Sequence, residues 1–127
     1  MQLITITTDL GYRDPYLAMV KGLIYSKQPN CKIVDLACDV KQHAHGEGAF
    51  ALKSALPYFP ENTIHLFAIK SLSSNATNAH LGLDNKRYLI TKYNKQYIIS
   101  PDNGLYTLID KGFNEPVYQL YFANAHQ

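Results

Sequence analysis

The chain reads as an α/β fold: a mostly parallel sheet with helices on both faces, a Rossmann-like arrangement of three layers. Three observations predict it. Short apolar or alternating runs of strand length occur at residues 3–7, 32–37 and 63–69, the pattern of sheet strands. Two segments with helical spacing of apolar residues separate them, one entered at Asp14-Pro15 and stopped by Pro29, the other at residues 47–56. The resulting β-α-β-α-β order calls for parallel strands joined by right-handed crossovers.

Each element has its own justification. Leu3-Ile4-Thr5-Ile6-Thr7 alternates as a buried strand does. Asp14-Pro15 then supplies a helix start, Asp as N-cap and Pro at the first helical position, with Leu17, Val20, Leu23 and Ile24 on one face. Residues 35–46 are polar and irregular and read as a loop. In the second helix Ala49, Phe50, Leu52 and Leu56 form the expected buried side, and Pro57 and Pro60 end it. Residues 71–85 form a long polar loop without periodicity, a kind of segment that is uncommon and often functional. Residues 87–93 and 96–100 read as a hairpin across Asn94-Lys95, residues 103–111 as a short helix with Gly112 just past its end, and residues 116–121 as a last strand.

Length and composition set bounds. The 127 residues fit one domain. With 46% hydrophobic and 17% charged residues the composition is globular. A formal net charge of +2, from scattered lysines and arginines, gives no case for nucleic acid. No apolar run is long enough to cross a membrane as a helix. The histidines and the two cysteines form no metal-ligand pattern. Cys31 and Cys38 flank the second strand, which spans roughly 20 Å when extended, beyond the ~7 Å that a disulfide bridges. Free thiols without a signal peptide point to the cytoplasm.

Four segments meet at the carboxyl edge of such a sheet: Thr8-Asp9, residues 35–43, Lys70-Ser71, and Pro101-Asp102-Asn103-Gly104. Ligands of open α/β sheets bind there. Asp9 lies between the first strand and the first helix, where a carboxylate accepts two hydrogen bonds from a ribose diol.

These segments together resemble the S-adenosylmethionine (SAM) hydroxide adenosyltransferases, or SAM hydrolases, relatives of the fluorinating and chlorinating adenosyl enzymes. The matching pieces are TTDLGYRDPY (7–16), KGLIYS (21–26), IVDLACDV (33–40), GAFALKSALPYFPENTIHL (48–66) and ISPDNGLYTL (99–108), in the family's order and near its spacing. The resemblance implies the family's N-terminal α/β domain over residues 1–127, without its smaller C-terminal β domain. It implies hydrolysis of SAM to adenosine and methionine by water attack at ribose C5′, SAM as substrate with no metal or other cofactor, and a homotrimer with sites between subunits.

By resemblance, Asp9 matches the Asp that binds the ribose hydroxyls; its other reading is an Asx-turn. Asp102 and Asn103 match the family's PDNG segment and also suit a helix N-cap. His43 falls where relatives place a pocket-lining residue, and also reads as an exposed loop histidine. Asp35 and Asp39 read as turn formers; Tyr12 and Tyr16 are placed to pack near the site, and Tyr16 also reads as a core residue of the first helix.

Departures from the family pattern carry equal weight. Lys70 stands where the family has the Asp of VDPGVG, and the glycines are gone. A lysine roughly 5 Å from the SAM sulfonium costs about 3 kcal/mol at an effective dielectric near 20. Counting back from PDNG, Lys86-Arg87 falls on the family's basic pair, so Arg87 or Lys86 orients the water, or is a solvated charge at a strand start. The family's catalytic His, in a segment like TFHGRD, has no counterpart before Gln127, and His126 has the wrong context. Three readings follow: a SAM hydrolase piece, a SAM- or adenosine-binding module without catalysis, or an inactive truncated fragment.

Overall fold

The structure is a computed structural model that describes residues 1–69, 88–102 and 104–120. Its strands are β1 (Gln2–Thr8), β2 (Cys31–Ala37), β3 (Ile64–Ala68), β4 (Tyr88–Tyr93), β5 (Gln96–Pro101) and β6 (Val117–Gln119). Its helices are α1 (Tyr16–Lys27), α2 (His45–Ala55) and the short α3 (Leu105–Ile109); a 3₁₀ turn, Leu56–Tyr58, follows α2. The sheet runs β2-β1-β3-β5-β4-β6. Strands β2, β1, β3 and β5 are mutually parallel, and β4 runs antiparallel to both β5 and β6.

Alternation along each strand builds the three layers. On one face Leu17 of α1 packs with Ile6 and Cys38, flanked by Ile24, Ile33 and Leu66. On the other, Ala49, Leu52, Leu105, Tyr106 and Ile109 pack on Phe67, Ile69 and Ile98. Leu66 and Phe67, neighbours on β3, thus serve opposite layers. Gly48 lets α2 settle on the sheet: a Cβ there would overlap Ile69 Cδ1 and stand 3.0 Å from the Phe67 ring.

A polar network crosses the buried face beneath α2. His65, 0% exposed, bonds through Nδ1 to Thr5 Oγ1 at 2.7 Å and through Nε2 to Gln96 Oε1 at 2.6 Å. Gln96 Nε2 donates to the Leu56 carbonyl at 2.8 Å. That last bond fixes the chain of roles: Gln96 Oε1 accepts, His65 Nε2–H donates, and in the neutral ring Nδ1 accepts from the Thr5 hydroxyl. Burial holds the His65 pKa below its ordinary value, and the bond to Gln96 works against it.

Several expectations from sequence are corrected. Pro15, not Asp14, is the residue that caps α1, and no side chain caps the helix. Of the expected α1 face only Leu17 is fully buried; Leu23 is 63% exposed and Val20 38%. Besides Leu17, Met19, Val20, Leu23 and Ile24 the helix carries Tyr16, Ala18 and Tyr25, so apolar and aromatic residues occur on nearly every side and periodicity could not single out its inner face. Phe50 of α2 is likewise exposed, because Gly48, Ala49 and Leu52 make the close face. The third helix is shorter than residues 103–111: it starts after Gly104 and is capped at Asp110, not at Gly112. The last strand shrinks to Val117–Gln119. The hairpin stands as read, with Asn94 and Lys95 both left-handed, φ 54° and 62°, as a two-residue hairpin turn requires. Cys31 and Cys38 are free, buried thiols.

Candidate functional site

The β1–α1 and β2–α2 loops are laced together at the carboxyl edge of the sheet. Val40 N–H donates to the Thr8 carbonyl at 3.3 Å, and Gly11 N–H to the Cys38 carbonyl at 2.9 Å. Gly11 is left-handed, φ +74°, and a Cβ there would stand 3.3 Å from Asp39 Oδ1; glycine lets the chain turn at this crowded point. Thr8 Oγ1 donates to the Ala68 carbonyl at 2.9 Å and accepts from Leu10 N–H at 3.2 Å, tying the same loop to β3. The loop that bears Asp9 is therefore held on both sides.

Asp9 is partly buried, and its Oδ2 accepts the His43 backbone N–H at 3.1 Å. Beside it opens a cleft of about 140 Å³ lined by Thr8, Asp9, Leu10, Ala68, Ile69, Tyr88 and Pro101. These residues come from the ends of β1, β3 and β5 and the start of β4, where Tyr88 pairs with Pro101. The cleft is small and polar at one corner, where Asp9 supplies the carboxylate. Larger hollows lie elsewhere: one of about 470 Å³ at the opposite, amino edge is lined by Gln2, Glu61 and Asn62 among others. Position in the fold, not size, singles out the carboxyl edge, where ligands of open α/β sheets bind.

The other expected site residues fall as follows. His43 reaches Asp9 through its main chain, and its ring is not among the described residues lining the cleft. Asp102 is exposed in the bend after β5, one residue beyond the cleft-lining Pro101. Lys70, Lys86, Arg87 and Asn103 lie outside the described residues, as does the 71–85 loop. Sequence reasoning placed Thr8, Asp9 and Pro101 at this edge but missed Tyr88, whose signal was the hairpin register that sets it against Pro101.

Asp35 and Tyr12 form a brace away from the cleft. Lys21 Nζ lies 2.6 Å from Asp35 Oδ1, and the Tyr12 hydroxyl donates to Asp35 Oδ2 at 3.0 Å. The Lys21 ammonium holds the Asp35 carboxyl below the usual carboxylate range. Loss of water and the bond to Asp35 push the Tyr12 phenol up to about 12, although most of its surface is exposed. Burial pushes the Cys38 thiol up to about 11, so it stays protonated and a poor nucleophile near neutral pH. This group clasps α1, β2 and the Asp9 loop together; Asp35 thus acts in a brace rather than as a turn former. Among the described residues no three metal-ligating side chains gather, and no helix is long and apolar enough to cross a membrane.

Comparison with known proteins gives this site a context. Residues 4–125 match the model of the SAM hydroxide adenosyltransferase N-terminal domain. A Methanocaldococcus jannaschii protein named (R)-S-adenosyl-L-methionine hydrolase is 31% identical over 115 residues, 86% of this chain and 40% of its own length. A Thermus thermophilus protein of the same name is 31% identical over 108 residues, 85% of this chain and 38% of its own. The chain thus spans about two fifths of the length of these curated relatives. Among solved structures, a conserved hypothetical protein from Thermus thermophilus superposes with a TM-score of 0.70 at 28% identity, over 95% of this chain and 47% of that one. An uncharacterized conserved protein from Thermotoga maritima does so at 0.77 and 20% identity, over 94% and 43%, and supports the fold. With nearly its whole length inside the family match, the chain belongs to the SAM hydroxide adenosyltransferase family, as its N-terminal domain.

Proposed function

We propose that these residues form the ribose-binding side of an enzyme that hydrolyses SAM to adenosine and methionine. The observation that supports this most is Asp9: a carboxylate braced at the carboxyl edge of the sheet and opening on a cleft among the ends of β1, β3 and β5. Its oxygens suit the 2′- and 3′-hydroxyls as acceptors. The two curated relatives are named for hydrolysis of this substrate.

In the reaction a water oxygen attacks C5′ in line with the C5′–S bond. The O–C5′ bond forms, the C–S electron pair leaves with sulfur as a neutral thioether, and the water's proton passes to solvent. A sulfonium leaving group needs no general acid, so the demand on the protein is positioning and help in removing that proton. Arg87 or Lys86 is the proposed water-orienting cation. Asp102 and Asn103 are proposed to wall the pocket, and Asp9 to anchor the sugar.

The same reading takes residues 1–127 as one α/β domain that acts in the cytoplasm on a small nucleoside substrate. It uses no cofactor, nucleic acid or membrane, and assembles as a homo-oligomer, a trimer by family resemblance. Exposed Tyr16, Met19 and Leu23 on α1 support self-association. A second reading, a SAM- or adenosine-binding module without catalysis, is favoured by Lys70 in place of the family's Asp. Incubation with SAM and chromatography for adenosine and methionine separates the two. Adenosine formed by wild type and not by Asp9→Ala supports hydrolysis; none from either protein, with adenosine still bound, supports the module.

A further inference from the structure

We infer that His43 serves the site through its main-chain N–H rather than its ring: its left-handed backbone aims that N–H at Asp9 and fixes the carboxylate toward the cleft. The inference rests on the ribose reading of Asp9 and adds a positioning residue to it. His43 has φ +64°, a conformation uncommon outside glycine and strained for a residue with a side chain. It occupies the third position of a turn closed by Ala44 N–H on the Lys41 carbonyl at 2.9 Å, where positive φ normally selects Gly or Asn.

What the strained turn achieves is visible in the hydrogen bonds. It brings His43 N–H to 3.1 Å from Asp9 Oδ2. The turn is anchored on both sides, by Val40 N–H on the Thr8 carbonyl before it and by Gly48 N–H on the Ala44 carbonyl, which opens α2, after it. A carboxylate offers about four lone-pair positions. One bond from a rigid donor stops rotation of the group and leaves the others for two ribose hydroxyls. Orientation fixed before binding spares the cost of ordering the group during it.

The test compares variants of the chain by adenosine calorimetry and by hydrogen exchange at residue 43. His43→Gly keeps the N–H and the left-handed backbone, so its affinity should stay within about threefold of wild type. His43→Pro removes the donor and should lose at least about tenfold, approaching Asp9→Ala. Should the proline variant not fold, His43→Val, which keeps the donor but resists positive φ, should show a smaller loss in the same direction. Exchange of the residue 43 amide should quicken at least about tenfold in Asp9→Ala. An affinity loss in His43→Gly equal to that of the valine or proline variant assigns the role to the ring and overturns the inference. Unchanged amide exchange in Asp9→Ala overturns it as well. Wild type that binds no adenosine overturns the ribose reading itself, and the exchange result then still reports on the Asp9–His43 coupling.

Discussion

Two polar constellations in this domain differ in one respect. The His65 network, under α2, is closed: Thr5, His65, Gln96 and the Leu56 carbonyl satisfy one another at 2.6–2.8 Å with no exposure at His65. Asp9, at the sheet edge, is open: the His43 amide takes one of its positions and a cleft faces the rest. A polar group with every partner inside the protein specifies and stabilises structure. One that is braced but incompletely matched is equipped to take a ligand. The two have different chemistry to lose, and substitution separates them.

The largest effect belongs to the closed network. Gln96→Ala strands the His65 N–H and the Leu56 carbonyl and should cost about 2–5 kcal/mol in denaturant unfolding. A loss under about 1 kcal/mol would show that water or neighbouring groups replace the amide. Acid probes the same network. His65 is neutral in the fold, with its pKa below the ordinary 6.5. As pH falls through 6.5 the unfolded chain takes up the proton before the folded one. Stability is therefore full above 6.5 and declines below it, by up to about 1.4 kcal/mol per pH unit, until the folded pKa is passed. His65→Gln should lack that decline, so that it appears as the difference between the two stability–pH curves; identical slopes in both proteins would assign acid sensitivity to other groups.

Gly48→Ala tests the packing that covers the network. The methyl would collide with Ile69 and crowd Phe67, so a loss of about 1–3 kcal/mol in unfolding free energy is expected. An unchanged midpoint would mean that α2 slides freely on the sheet. Asp9→Ala should be the mildest for stability, about 0.5–1.5 kcal/mol for one partly exposed hydrogen bond, while abolishing nucleoside binding. A thermal unfolding shift as large as that of Gln96→Ala would place Asp9 with the structural group.

The contrast also explains how much could be read from sequence. The strands, their parallel order and the meeting of Thr8-Asp9, the β2–α2 loop and Pro101 at the carboxyl edge were legible because alternation, proline stops and the Asn94-Lys95 turn are local signals. The inner faces of the helices were less so. In α1 apolar residues surround the axis, and in α2 the close approach is set by Gly48, a residue with no hydropathy to betray it. At the site, Asp9 was legible from its place after β1. The hydrogen bond from the His43 N–H to Asp9 was not, since a main-chain donor in a positive-φ turn leaves no mark in residue type. Tyr88 reaches the cleft by register, which exists only once the strands are paired. His65 read as part of an apolar strand and gave no hint of partners 60 and 31 residues away.

The most direct test of the central claim, that Asp9 reads a ribose diol, is calorimetry of adenosine against 2′,3′-dideoxyadenosine on wild type and Asp9→Ala. The account predicts that wild type prefers adenosine by at least about tenfold and that the variant binds both equally weakly. A variant that keeps the wild-type preference would contradict it, because the diol would then be recognised by another residue.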